Sequence, residues 1–175
     1  MLTHKEITEA LTRVGDLALA RNTEIELLLV GGALMVLRFG SREATRDVDV
    51  IVLAPADVSV VRDIARVVAQ ERNWENDWLN DAAKGYLRDA RADTEVFAAP
   101  GIKVYSPSLQ QLLLAMKLSA WRDDVDIADA HRLLQEITGS KQAIWNSLQP
   151  HLIPGDELKA QYAFADLWDA THGND

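Results

Sequence analysis

Apolar residues along the first part of the chain follow two spacings, and each spacing predicts a different element. Between residues 4 and 21 an apolar residue recurs every three or four positions, which predicts an amphipathic helix. Apolar runs of strand length occupy residues 25–30 and 48–53, each interrupted by one acidic residue. A second helical spacing follows over residues 57–70, and Asp57 is a suitable N-cap for it. Alternation of short strands with helices predicts a mixed α/β arrangement.

The remaining segments divide into a strand pair and a helical half. Residues 33–39 predict a short helix, and residues 72–92, with their aromatic side chains up to Tyr86, predict short helices. Two strands turned at Pro100-Gly101 are expected over residues 94–98 and 102–105. A helix with Pro107 at its first position then opens a series of four, predicted over residues 107–121, 124–137, 141–149 and 156–171.

Composition excludes several classes of site and partner. The 175-residue chain has no cysteine, so disulfides and thiolate chemistry are excluded, and its four histidines are scattered without metal-ligand spacing. A net charge of −9 argues against a protein that coats nucleic acid nonspecifically. The sequence shows neither a long apolar span nor a signal-peptide pattern, so we expect a cytoplasmic protein without a membrane partner.

Local basic groups stand out against this acidic background. Arg38, Arg42 and Arg46 recur at intervals of four residues. A second group consists of Lys84, Arg88 and Arg91. Each group is either a patch that meets an anionic partner or an ordinary solvated face that balances the acidic residues.

Two aspartates lie at the start of the second apolar run, where a strand favours apolar residues. Side chains alternate between the faces of a strand, so we expect the Asp47 and Asp49 carboxylates on one face. Carboxylates held this close repel unless a cation lies between them, and Mg²⁺ commonly takes one or two of them with water and phosphate oxygens. Gly31 and Gly32 predict a tight turn whose N–H groups can meet phosphate. The alternative for the Gly-Gly pair taken alone is an ordinary tight turn, and the alternative for the Asp-x-Asp pattern taken alone is the solvated end of a strand.

A second set of charges lies in the helical half. Lys117 is the only charged residue between Pro107 and Arg122. It is either a cation with a role or a lysine that extends from the edge of a core helix into solvent. Asp126 and Asp129 lie three positions apart on one side of the next helix. They are either a second acidic group or surface charge, with Asp126 paired to Arg122.

The order of these features carries a family resemblance. An apolar strand, a Gly-Gly turn, a short helix and an Asp-x-Asp strand resemble the nucleotidyltransferase superfamily that includes DNA polymerase β. The segments TRDVDV and LLAMKLSAWRDDVDIADAHRLL look like the AbiEii and MenT type, the toxins of bacterial toxin–antitoxin pairs. WLNDAAKGYL, from Trp78, is a weaker similarity. The resemblance covers roughly residues 27–137.

The resemblance implies a role for each matching residue. It makes Asp47 and Asp49 the ligands of Mg²⁺ or Mn²⁺. Gly31 and Gly32 would form the turn that binds phosphate, and Arg42 and Thr45 would contact the triphosphate. Lys117 would be a cation that contacts the nucleotide. Asp126 and Asp129 would form a second acidic group that faces the site.

Two departures from the family pattern bear on activity. Ala33 stands where many active members place a serine whose hydroxyl binds phosphate. The third strand carboxylate, which in the larger superfamily helps to deprotonate the attacking hydroxyl, has only Glu95 as a candidate. Without it, Asp126 or Asp129 would take that work, or the protein would be inactive.

The expected fold is α/β (α+β) in two parts. Residues 1–105 would form a nucleotidyltransferase-like small mixed sheet flanked by helices, and residues 106–175 a helical bundle that closes over the nucleotide. The resemblance implies Mg²⁺-dependent transfer of NMP from an NTP to a hydroxyl of an RNA end, with the tRNA acceptor stem foremost. Such a toxin would have a cognate antitoxin protein. The alternative is a catalytically silent relative that binds a nucleotide or a partner protein on the same scaffold.

Overall fold

The computed structural model describes residues 1–81, 91–121 and 124–173. These residues divide into two compact units, the first ending at Pro107 and the second beginning at Ser108. The first unit combines helices with a five-stranded mixed sheet, which confirms the mixed α/β class. Its elements are β1 (Leu2–Thr3), α1 (His4–Ala20), β2 (Ile25–Val30), α2 (Gly31–Leu34), a π-helical turn (Met35–Phe39), β3 (Ala44–Thr45), β4 (Val48–Ala54), α3 (Val58–Arg72), β5 (Leu79–Asn80), β6 (Ala92–Ala99) and β7 (Ile102–Pro107).

The main sheet has β2 at its centre. Its strands lie in the order β5-β4-β2-β7-β6, with β2 antiparallel to β4 and parallel to β7. Leu27, Leu28 and Leu29 are all fully buried. Because successive side chains point to opposite faces, a strand covered on both faces needs an unbroken apolar run, as this sequence has.

Local capping explains where the two long helices of this unit begin. Thr3 and Glu6 bond each other's backbone N–H groups in a capping box at the start of α1. The Asp57 side chain accepts a hydrogen bond from the Ser59 backbone N–H, which caps α3 as predicted. A hydrogen bond from the Ser59 hydroxyl, together with the one from the Ser59 backbone N–H, lowers the pKa of Asp57. The apolar faces of α1 and α3, including Ile7, are buried in the core.

The second unit consists of helices. The central one, α4, is buried through Leu113, Leu114 and Leu118 and contacts each of the three others. The helices are α4 (Leu109–Ala120), α5 (Asp124–Leu134), α6 (Lys141–Leu148) and α7 (Glu157–His172), with a 3₁₀ turn at Gln149–His151.

Several predicted boundaries differ from the structure. Pro107 does not open a helix, because β7 continues to it and pairs it with Ala92. Helical structure after β2 begins at Gly31, before the predicted start at residue 33, and becomes π-helical from Met35. Within residues 72–81, part of the region predicted as short helices, the chain forms strand β5. The rest of that region includes Tyr86, which lies outside the described residues.

The length and apolar character of the described helices were compared with those of a membrane span. Within residues 1–81, 91–121 and 124–173, none of the helices combines the length and the apolar character needed to cross a membrane.

Candidate functional site

The turn after β2 brings the Asp49 carboxylate against its backbone. Gly31 begins α2 with a φ of +65°, a left-handed conformation that glycine adopts without steric cost. A Cβ atom at this position would lie 2.7 Å from Oδ2 of Asp49. The strand register explains the approach, because Asp49 pairs with Val30, the residue before the turn. The turn therefore requires glycine for its conformation and for the space that the carboxylate occupies.

The second glycine lies against a hydroxyl and a guanidinium. A Cβ atom at Gly32 would lie 2.5 Å from Oγ1 of Thr45 and 3.0 Å from Nη1 of Arg42. Thr45 is buried in β3, whose short pairing with β1 holds the segment after the π-helical turn. Arg42 is half-buried. Thus Arg42 and Thr45, which the resemblance implies as triphosphate contacts, both lie against the second glycine of the turn.

The two aspartates of the Asp-x-Asp pattern occupy different positions. Asp49 lies within β4, whereas Asp47 lies one residue before the strand begins. Both side chains are half-buried. On the other side of β4, the residue matched with Asp49 is Asn80 of β5. Sequence inspection did not single out Asn80, because a two-residue strand has no periodicity to reveal it.

The basic residues singled out in the sequence of the first unit differ in their surroundings. Arg38, in the π-helical turn, donates a hydrogen bond of 2.8 Å from Nη1 to Oγ of the buried Ser106. Arg46 is exposed. Of the second predicted basic group, Arg91 is exposed, while Lys84 and Arg88 lie outside the described residues.

In the second unit, Lys117 lies between two aspartates. Its Nζ atom is 3.0 Å from Oδ1 of Asp126 and 2.8 Å from Oδ2 of Asp129. The residues are 8%, 3% and 2% exposed, respectively. Lys117 therefore does not extend into solvent, and the two aspartates are not surface charges. Arg122, the alternative partner of Asp126, lies outside the described residues.

Burial makes this charged triad interdependent. Removing a charge from water costs several kcal/mol, and attraction to an opposite charge offsets the cost only in good geometry. The 2.8 Å distance to Asp129 falls in the range of charge-assisted hydrogen bonds, and the 3.0 Å distance to Asp126 is that of an ordinary N–H···O hydrogen bond. The helices α4 and α5, which pack together, supply the three residues. The triad therefore links two core helices whatever its chemical role.

Ala33 and Glu95, the two residues at which the sequence departs from the family pattern, lie in different parts of the first unit. Ala33 is fully buried in α2. Glu95 is exposed on the edge strand β6, with β7 and β2 between it and β4. Three strand spacings correspond to about 14 Å, so Glu95 does not lie beside Asp49.

The candidate residues thus form two groups, one in each unit. Among the described residues, no group of three or more His, Cys, Asp or Glu side chains is placed to hold a metal ion. Comparison of the chain with protein-family models, curated proteins and solved structures gives no match.

Proposed function

We propose that the protein is a divalent-cation-dependent nucleotidyltransferase whose first unit binds the cation and the triphosphate of an NTP. One observation carries the proposal: an acidic strand residue lies against Gly31, while a guanidinium and a hydroxyl lie against Gly32. A carboxylate is a ligand for Mg²⁺ or Mn²⁺, and an arginine beside backbone N–H groups suits phosphate. The order of strand, Gly-Gly turn and Asp-x-Asp in the sequence supports the same function.

The donor set fits a magnesium ion. Asp47 and Asp49 would supply oxygen ligands, in the number that Mg²⁺ commonly takes from protein, and phosphate oxygens and water would complete its shell. When bound, the ion would neutralise charge on the phosphates. Arg42 would bind a phosphate oxygen beside the Gly31-Gly32 turn, and Thr45 would donate its hydroxyl proton there.

The reaction would transfer one nucleotidyl (NMP) group. An acceptor hydroxyl oxygen would attack the α-phosphorus of the NTP, and the bond from that phosphorus to the bridging oxygen would break. Pyrophosphate would leave, and the hydroxyl proton would pass to water.

The acceptor in this proposal is an RNA end, with the tRNA acceptor stem foremost, and the product would be blocked translation. Resemblance to the AbiEii and MenT toxins supports this choice, and it also supports a cognate antitoxin as protein partner. A chain of net charge −9 must confine positive potential to the face that RNA approaches. Arg38 and Arg46, both exposed in the segment that follows the Gly-Gly turn, provide such potential.

A second function is favoured by a specific observation. Lys117 is engaged by two buried carboxylates, and buried Ala33 supplies no hydroxyl to the turn. A silent relative that binds a nucleotide or a partner protein would keep the fold and lack turnover.

Labelled nucleotides separate the two functions. The protein would be incubated with Mg²⁺, total RNA and each of the four NTPs labelled at the α-phosphate. The proposed transferase places label on RNA, and Asp49→Asn abolishes it. Label on protein would identify a different acceptor. NTP binding without label on any macromolecule would support the silent relative.

A further inference from the structure

Strand β5 places an amide next to the candidate cation ligand. Asn80 and Asp49 are register partners in the parallel pair of β5 and β4. Side chains at matched positions of neighbouring strands point to the same face, and the strands lie about 4.8 Å apart. Both side chains are half-buried. The Asn80 carboxamide therefore lies on the face where the Asp49 carboxylate meets Gly31.

We propose that Asn80 is a third, neutral oxygen ligand of the cation site formed by Asp47 and Asp49. This inference rests on the proposed function, since it assumes that the two aspartates bind a divalent cation. Amide carbonyl oxygens are ligands for hard cations, as carboxylates are. A neutral ligand adds an oxygen without adding to the repulsion between the two carboxylates. It also leaves more room for the negative charge of a triphosphate.

The short strand is anchored on both sides of Asn80. The Val48 N–H donates to the Trp78 carbonyl at 2.7 Å. The buried Trp78 indole Nε1–H donates to the Ala65 carbonyl of α3 at 2.9 Å. After Asn80, Asp81 accepts a hydrogen bond of 2.8 Å from Arg62 of α3. The first two contacts hold the chain immediately before the amide, and the third holds the side chain that follows it, so the ligand is positioned from both sides.

Sheet formation alone does not account for the residue type. Asparagine is depleted in strands, because its side chain competes for backbone hydrogen bonds. Leu79, which precedes it, is buried and supplies the apolar contact of the strand. The amide thus occupies the position of the strand that is matched with Asp49.

Manganese binding tests the inference without relying on turnover. Free Mn²⁺ would be measured by electron paramagnetic resonance in titrations of the full chain, alone and with a non-hydrolysable ATP analogue. We expect Asn80→Ala to weaken Mn²⁺ binding about tenfold or more, and Asn80→Asp to strengthen it several-fold. As a matched control, Asp77→Asn removes an exposed negative charge three residues before Asn80 and should change the affinity less than twofold.

The outcomes distinguish this inference from the proposed function. If the parent binds Mn²⁺ and Asp49→Asn abolishes binding, while Asn80→Ala binds like the parent, the role of Asn80 is overturned and the cation site stands. If the parent binds no Mn²⁺, or Asp49→Asn binds like the parent, both fail. Should Asn80→Ala not fold, Asn80→Asp decides, because an unchanged or weaker affinity in that variant would overturn the inference.

Discussion

The two candidate groups place their charges in opposite environments. In the first unit, Asp49 and Arg42 are half-buried and lie against a backbone turn that contains no side chain at Gly31 or Gly32. In the second unit, Lys117 and both aspartates are at least nine-tenths buried and bond one another. The first arrangement leaves charge accessible to a ligand. The second satisfies charge within the core.

This difference in burial predicts different effects of substitution on folding stability and on ligand binding. A half-buried carboxylate at a turn can change with little effect on folding, because water still solvates it. A buried ion that loses its partner has no such solvation. Substitutions in the first unit should therefore affect ligand binding most, and those in the triad should affect stability most.

Lys117→Met should have the largest effect on stability. The change leaves Asp126 and Asp129 buried without their cation, which should lower the free energy of unfolding by about 3–5 kcal/mol. Urea denaturation would measure it. Lys5→Met is the control, because Lys5 is exposed and lies 3.8 Å from Glu9, and its loss should cost under about 0.5 kcal/mol. A cost below about 1 kcal/mol for Lys117→Met would contradict the interdependence of the triad.

Gly31→Ala should have the next-largest effect and lower the free energy of unfolding by about 2 kcal/mol or more. A left-handed conformation costs a residue with a Cβ about 1–2 kcal/mol, and here the Cβ would also displace the Asp49 carboxylate. Gly40→Ala is a matched control, because Gly40 has a φ of +57° with no atom within 4 Å of the added Cβ. Only Gly31→Ala should also weaken Mn²⁺·ATP binding, as measured by calorimetry. Equal effects of the two variants on both properties would refute the close packing of the turn.

The sequence predicted what depends on periodicity and on local signals. The apolar run of β2, the cap at Asp57 and the glycines of the turn each act within a few residues, so their elements were found. The extension of β7 through Pro107 and the two-residue strands β1, β3 and β5 depend on pairing with distant residues, and these were missed.

The same distinction holds for the candidate sites. The proximity of Asp49, Arg42 and Thr45 to the glycines agrees with the order of the motif. Burial of Lys117 with Asp126 and Asp129 could not be predicted, because helical spacing places the aspartates on one side without indicating what covers it. Asn80 required the register of β5.

Arg46→Glu should reduce RNA labelling with little effect on stability. Arg46 is exposed beside Asp47, so reversing its charge removes attraction for RNA phosphates while the fold is retained. Labelling by the parent should fall steeply between low and moderate salt. The control is Arg21→Glu, at an exposed position just after α1, with the same change in net charge. Equal labelling by the two variants would argue against RNA approaching this face.

The smallest effect should come from an exposed ion pair. Two hydrogen bonds from Arg13 lower the pKa of Glu71. The pair therefore contributes its full stability at pH values above the ordinary glutamate pKa. That stability is lost as the pH falls through the lowered pKa of Glu71 in the folded protein. Both side chains are about 40% exposed. Between pH 7 and pH 3 the parent should lose slightly more stability than Glu71→Gln, as followed by urea denaturation. A larger loss in the variant would reverse the assigned sign.

Thermal unfolding with Mg²⁺ and each NTP tests the central claim, that the first unit binds a cation and a nucleotide together, most directly. A ligand that binds only the folded state stabilises it by about 2.7 kcal/mol at 100 times its Kd. We expect at least one NTP with Mg²⁺ to raise the Tm of the parent, and Asp49→Asn to fold normally and lose that rise. An equal rise in parent and Asp49→Asn, or no rise with any of the four NTPs, would contradict the claim.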